Sequence, residues 1–350
     1  MASSRFQKKG APKIPAVPGT RPSLFNYQLL TSCGIPGLDQ LIGGGLPLGT
    51  VTLLEDLPHG KSEETGQNYT YLLIQYFLAE GCFFEHKLFH GQISTSGNVQ
   101  LPAIVSNQSK ESYEHKAGND ELKIAWRYEN QSPKGEELAG KTGNHHFNLN
   151  KTIPQESVTN LLKTWCYEPD LNTRNGYCEL YKIIAEAAKP FLIDPKSPGT
   201  NMLRISISDI GSLAMSSDLP ELLKFLYRLR ILARSHLIVI VLSLSKDFFA
   251  SNEVNDLAHK KVKELVDFVI DLTAFNKHER QNGTFREHHG LIELEKATPL
   301  NCLTNSANAN NVRTKHLFKS LRTKFSIAPM HLPPDMEITK AEEKLKTLDF

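Results

Sequence analysis

An α/β domain built on an open, mostly parallel sheet is the fold this sequence predicts, and three observations carry it. Apolar segments that read as buried strands alternate with amphipathic segments that read as helices. The most hydrophobic strand, Leu237 to Leu242, reads LIVIVL with no polar residue on either face, as a strand covered on both sides should. After Leu272 the alternation gives way to strands with no helix between them, which predicts an antiparallel edge on the C-terminal side.

Each element has its own local reason. Gly37 to Ile42 sets Leu38, Leu41 and Ile42 on one side of a short helix that Gly43-Gly44-Gly45 ends. Pro47 and Gly49 turn the chain into a buried strand at Val51 to Leu54. Asn68 is placed to cap a helix whose apolar stripe is Tyr69, Leu72, Leu73, Tyr76 and Phe77, with Gly81 as its expected stop. Cys82 to Phe89 supplies the next strand and completes a βαβ unit with a right-handed crossover. From 91 to 175 regular patterning lapses and an irregular insertion is expected, with Trp126 and Tyr128 as its anchors. A helix near Tyr177 to Ala188, a strand from Leu203 to Ser208 ending in Asp209, and a helix from Leu219 to Arg234 follow. Beyond LIVIVL come a charged helix at Val254 to Lys263, a strand at Val266 to Leu272, and a terminal pair at Gly290 to Glu295 and Leu317 to Ile327. One domain is expected over 23–335, with a disordered basic tail at 1–22 and a C-terminal tail at 336–350.

Composition narrows the function classes. A hydrophobic fraction of 40% and a charged fraction of 22% are ordinary for a globular protein. The net charge of +2 hides a segregation: the first 22 residues hold Arg5, Lys8, Lys9, Lys13 and Arg21 with no acid, and Ala297 to Pro334 is also free of Asp and Glu. No apolar run is long enough to span a membrane. Five cysteines without a C-x-x-C pair point to free thiols in a reducing compartment, cytosol or nucleus.

Gly60-Lys61-Ser62 has the ending of the phosphate-cradling motif, in which Lys reaches a phosphate and Ser holds Mg²⁺. The first glycine of that motif would fall at position 55, which is Glu55, and Glu63 and Glu64 add negative charge beside the would-be anion site. Lys61, Ser62 and, at a strand end, Asp209 are the candidate nucleotide residues, and the spacing favours coincidence over a working loop. No catalytic constellation and no metal set is expected. His86 and His90, His145-His146 and His288-His289 lack a second pair of ligands and read as surface or loop histidines. Candidate RNA contacts are the basic run holding Arg313, Lys315 and Lys319, and the loops after strands holding Lys246, Lys277, Arg280 and Arg286. A charged edge strand that avoids aggregation is the competing reading of that run.

Several blocks in order resemble one family: Gly19 to Ser23 (GTRPS), Gly34 to Leu46 (GIPGLDQLIGGGL), Tyr76 to Gly81 (YFLAEG), Lys123 to Tyr128 (KIAWRY), His331 to Asp335 (HLPPD) and the closing Leu348 to Phe350 (LDF). Together they are similar to the fourth-subunit family of the Elongator complex and span nearly the whole chain. The resemblance implies a RecA-like fold without a proper phosphate loop. It implies a hetero-hexameric ring with subunits five and six that docks on the larger Elongator subunits and binds tRNA. It also implies a part in wobble-uridine modification carried out in cytoplasm and nucleus. No intrinsic cofactor is expected, with ATP and Mg²⁺ held only at ring interfaces. The rival readings are a self-sufficient ATPase using Lys61 and Ser62, and a scaffold without RNA contact.

Overall fold

A computed structural model of the chain describes residues 17–23, 26–57, 68–92, 99–105, 145–166, 176–194, 199–212, 215, 218–245, 248, 256–281, 285–300, 302–303 and 311–330. In chain order the elements are β1 (Thr20–Pro22), β2 (Leu29–Thr31), α1 (Pro36–Leu41), β3 (Leu46–Pro47), β4 (Val51–Asp56), α2 (Tyr69–Phe83), β5 (Lys87–Gln92), β6 (Pro102–Ile104) and β7 (Phe147–Thr152). They continue with α3 (Gln155–Thr159), β8 (Leu162–Cys166), α4 (Gly176–Ala188), β9 (Leu203–Ile210), α5 (Leu219–Ser235), β10 (Ile238–Leu244), α6 (Asp256–Leu265) and β11 (Phe268–Ala274). Last come α7 (Lys277–Gln281), β12 (Gly290–Ala297), β13 (Lys315–Leu321) and β14 (Lys324–Pro329).

Nine of these strands form one sheet in the order β14-β13-β12-β11-β4-β10-β9-β5-β8. From β8 to β11 every pairing is parallel, and β11 to β14 pair antiparallel. This is the mostly parallel α/β sheet with an antiparallel C-terminal edge expected of a RecA-like domain. The interior strand β10 is buried along its whole length, because α2 covers one face and α5 the other. On the first face Leu73, Ile74 and Phe77 of α2 meet Val239 and Val241 of β10. On the second, Leu222, Phe225, Leu226 and Leu229 of α5 meet Ile238, Ile240 and Leu242. Asn68 caps α2 as its sequence suggests, its side-chain oxygen accepting from the Tyr71 N–H at 3.0 Å. Among the described residues no helix is long and apolar enough to cross a membrane.

Four expectations change. Gly81 does not stop α2, which runs to Phe83. It lies inside the helix because a Cβ there would come within 2.5 Å of Leu88 and 2.8 Å of Arg204. The terminal strand pair is a trio, since a two-residue turn at Arg322-Thr323 divides Leu317–Ile327 into β13 and β14. Within 91–175, the described residues are regular: β6 and β7 pair with each other, and β8 joins β5 as the sheet's edge. Trp126 and Tyr128 lie outside the described residues. His86 and His90, read as surface histidines, are fully buried, and burial lowers their pKa values to about 3 and about 4.

Candidate functional site

At the position where the phosphate motif would begin, the described chain is still part of the sheet. β4 continues through Glu55 and Asp56 in register with Asp271 and Leu272 of β11. The Leu57 N–H then still donates to the Leu272 carbonyl at 2.8 Å. A glycine at position 55 would let the chain leave the sheet; Glu55 keeps it there. The Glu55 side chain is fully buried and turns to α6, where it accepts from His259 Nε2 at 2.9 Å and pairs with Lys263 Nζ at 3.0 Å. Lys61 and Ser62 lie outside the described residues. Asp209 sits near the end of β9 in a left-handed backbone conformation (φ 57°), its N–H donating to Ser243 Oγ at 3.0 Å. Two strand spacings separate β9 from β4, with β10 between them.

Lys263 is shared among three carboxylates. Besides Glu55 it pairs with Glu295 and, at 3.5 Å, with Asp271. Ligand atoms of these three acids lie within 4.8 Å of one another, a spacing that would suit a metal ion, but the Lys263 ammonium supplies the positive charge there. Burial works against that charge, yet Glu295, Glu55 and Asp271 outweigh it and lift Lys263 to about 12. Asp271 moves the other way for an acid: burial first, then the Glu55 charge, pushes it up to about 8.

That shift has a sign that stability measurements can read. Between its ordinary value of 3.8 and about 8, folded Asp271 holds a proton that the unfolded chain has lost, so stability falls as pH rises through this window. His86 and His90 act oppositely, but only below 6.5, and Asp39, raised by burial to about 6, has also finished titrating there. From pH 6.5 to 8 the wild type is therefore expected to lose up to about 1.4 kcal/mol per pH unit, the limiting slope for one proton. Asp271→Asn should flatten that limb in urea unfolding; an unchanged slope would show that Asp271 is ionised throughout.

The Gly34–Leu46 block builds a different centre. Asp39 of α1 accepts from Ser32 Oγ at 2.5 Å and from the Cys33 N–H at 2.8 Å, closing the turn into α1. Gly34 has φ 86°, and a Cβ there would sit 2.5 Å from the Tyr76 carbonyl oxygen, so only glycine lets this turn lie on α2. Fully buried Arg204 of β9 joins the parts. It donates to the Ser32 carbonyl at 2.8 Å, the Phe77 carbonyl at 3.1 Å, Thr31 Oγ1 at 2.7 Å and His86 Nδ1 at 3.0 Å. His86, accepting at Nδ1, donates from Nε2 to the Pro18 carbonyl at 2.8 Å. The glycine-rich block is thus a packing device between α1, α2 and the sheet.

The candidate RNA residues divide into two places. Arg280 on α7 and Arg286 in the turn before β12 are exposed, and Lys319 of β13 reaches that turn, pairing with Glu287 at 3.0 Å. His288 and His289 lie between them, half-buried, and sequence patterning alone gave them no role. The His289 pKa is lowered by burial and by the charges of Arg280, Lys319 and His288. Arg313 and Lys315 are exposed at the far end of β13, Lys315 standing opposite Glu293 of β12. Lys246 and the Lys277 side chain lie outside the described residues.

Comparison with known proteins adds an independent line. A family model described as PAXNEB protein matches residues 13–348. Elongator complex protein 4 of Mus musculus is 33% identical over 383 aligned positions, which cover 96% of this chain and 86% of the mouse protein. The Homo sapiens protein of that name is 32% identical, covering 95% of this chain and 86% of its own length. The Schizosaccharomyces pombe protein is 26% identical with 99% of both chains covered.

Proposed function

The chain belongs to the PAXNEB protein family, and from that premise we propose that it is a subunit of an Elongator complex that supports wobble-uridine modification of tRNA without catalysing a reaction alone. In this reading it stands in a hetero-hexameric ring with subunits five and six, docked on the larger Elongator subunits, in cytoplasm and nucleus. It contributes architecture and RNA contact. The observation that carries the non-catalytic part is β4 running on through Glu55 and Asp56, with Glu55 consumed by His259 and Lys263. Residues so arranged do not fit a triphosphate: the strand has no loop at the first glycine position, and a buried carboxylate stands there instead. ATP and Mg²⁺ would then be held only where two subunits meet. RNA contact is supported by the exposed cations Arg280, Arg286, Arg313 and Lys315 on a chain whose acids and bases are otherwise balanced.

The isolated chain is expected to turn over no ATP above the protein-free rate, and the assembled ring to bind tRNA with an affinity that falls steeply with salt. Turnover by the isolated chain that Lys61→Ala abolishes would make it a self-sufficient ATPase. A ring that assembles but ignores tRNA would make it a scaffold.

A further inference from the structure

Among the described residues several cationic side chains are spent in ion pairs: Arg234 and Arg230 on Asp267, Lys224 on Glu221, Lys189 on Glu186, and Lys263 on its three carboxylates. One surface gathers cations that are not so held. At the carboxyl end of β11, α7 and the turn into β12 bring Arg280, Arg286, His288, His289 and Lys319 together, with Glu287 and the α7 residue Glu279 as acids beside them. Neither Arg280 nor Arg286 has an ion-pair partner among the described residues. Lys319 has only Glu287, whose side chain is 77% exposed; a pair that open is worth about 1 kcal/mol or less, so Lys319 gives it up readily for another anion.

We infer that this surface, and not the Arg313–Lys315 end of β13, is where the chain meets the phosphodiester backbone of RNA. The inference rests on the proposed RNA contact and assigns it to one place. Backbone order fixes the spacing of the donors. The Phe275 N–H donates to the His289 carbonyl and the His289 N–H to the Phe318 carbonyl, each at 2.9 Å, so the turn is sewn to the end of β11 and the middle of β13. The Ser320 N–H donates to His289 Nδ1 at 3.2 Å, which leaves Nε2–H as the ring's donor. His288 Nδ1 is enclosed, with no hydrogen-bond partner among the described residues. Two guanidinium groups, an ammonium and two imidazoles in one patch suit an extended chain of phosphates, which takes many donors in a row. Arg313 and Lys315 lie about four residues of strand away, roughly 13 Å at 3.3 Å per residue, and Lys315 already faces Glu293 across the ladder.

The test uses the full chain in its purified Elongator assembly, with a tRNA transcript as probe and binding measured across a salt series. Arg280→Ala, Arg286→Ala and Lys319→Ala combined are expected to weaken binding about tenfold or more and to reduce the slope of log K against log salt by about two. His288→Ala alone should cost about threefold, and Arg313→Ala with Lys315→Ala less than twofold. Undiminished binding by the triple variant, or the larger loss from the Arg313 and Lys315 pair, would overturn the assignment while leaving RNA binding by the assembly intact. A triple variant whose assembly loses a protein subunit would overturn it too, marking the surface as a protein contact. Failure of the wild-type assembly to bind tRNA at all would instead remove the proposed function and this surface with it.

Discussion

Arg204→Met is expected to lower the free energy of unfolding by about 3–5 kcal/mol, the loss typical of a buried charge network stripped of one partner. Methionine keeps the length and the apolar stem, so the loss isolates the guanidinium. Four acceptors lose their donor at once: the carbonyls of Ser32 and Phe77, Thr31 Oγ1 and His86 Nδ1. The ring of Phe77 loses the cation 4.8 Å from its centre. Burial holds Arg204 down to about 10, while the charges of buried Glu80 and Asp39 act the other way, so it is cationic at neutral pH. Arg204→Lys should lose less than methionine, because a single ammonium keeps the charge but cannot reach four acceptors around a plane. Denaturant unfolding measures the first expectation, and hydrogen exchange at Thr31 to Cys33, which should rise in both variants, measures the second. A methionine variant within 1 kcal/mol of wild type would mean that Arg204 is a passenger in this core, whatever its hydrogen bonds.

The legible parts of this fold were those whose cause is local. LIVIVL declares a strand covered on both faces, the leucines of α5 declare one buried stripe, and Asn68 declares a helix start; each needs only its own neighbours in sequence. The illegible parts depend on residues far away. Gly81 looked like a stop because the close approach of Arg204 and Leu88 has no trace in the helix itself. The Arg322-Thr323 turn lacks the Asn or Gly that marks tight hairpins, so β13 and β14 read as one strand. Burial of His86 is explained by Arg204 and the Pro18 carbonyl, partners 118 and 68 residues away in sequence. For the site, the sequence announced that Glu55 was wrong for a phosphate loop. It could not announce what Glu55 is for, since His259 stands 204 residues further along the chain. The basic surface was half legible: Arg280, Arg286 and Lys319 were visible as charges, while their convergence on His288 and His289 is a product of the β11–β12–β13 ladder.

Lys263→Met is expected to cost about 3–5 kcal/mol as well, through the same physics run from the anionic side. In the wild type one ammonium compensates Glu55, which is fully buried, together with Glu295, while Asp271 beside them holds its proton at neutral pH. Without it Glu55 keeps His259 alone among the described residues, and Asp271, already lifted to about 8 by burial and by Glu55, has no cation paired with it among them. The argument makes a sharper demand than loss of stability. If the cost comes from stranded carboxylates, removing one of them must repay part of it, so Lys263→Met with Glu55→Gln should be more stable than Lys263→Met alone. A coupling of about 1–3 kcal/mol between the two positions is expected in a double-mutant cycle from urea unfolding at pH 7. Additive effects would mean that Lys263 acts through packing on α6 and that Glu55 is stabilised elsewhere. Coupling of the expected size would show that the end of β4 is held in the sheet by an ion pair with α6, and that a glycine at position 55 would leave Lys263 short of its most deeply buried partner.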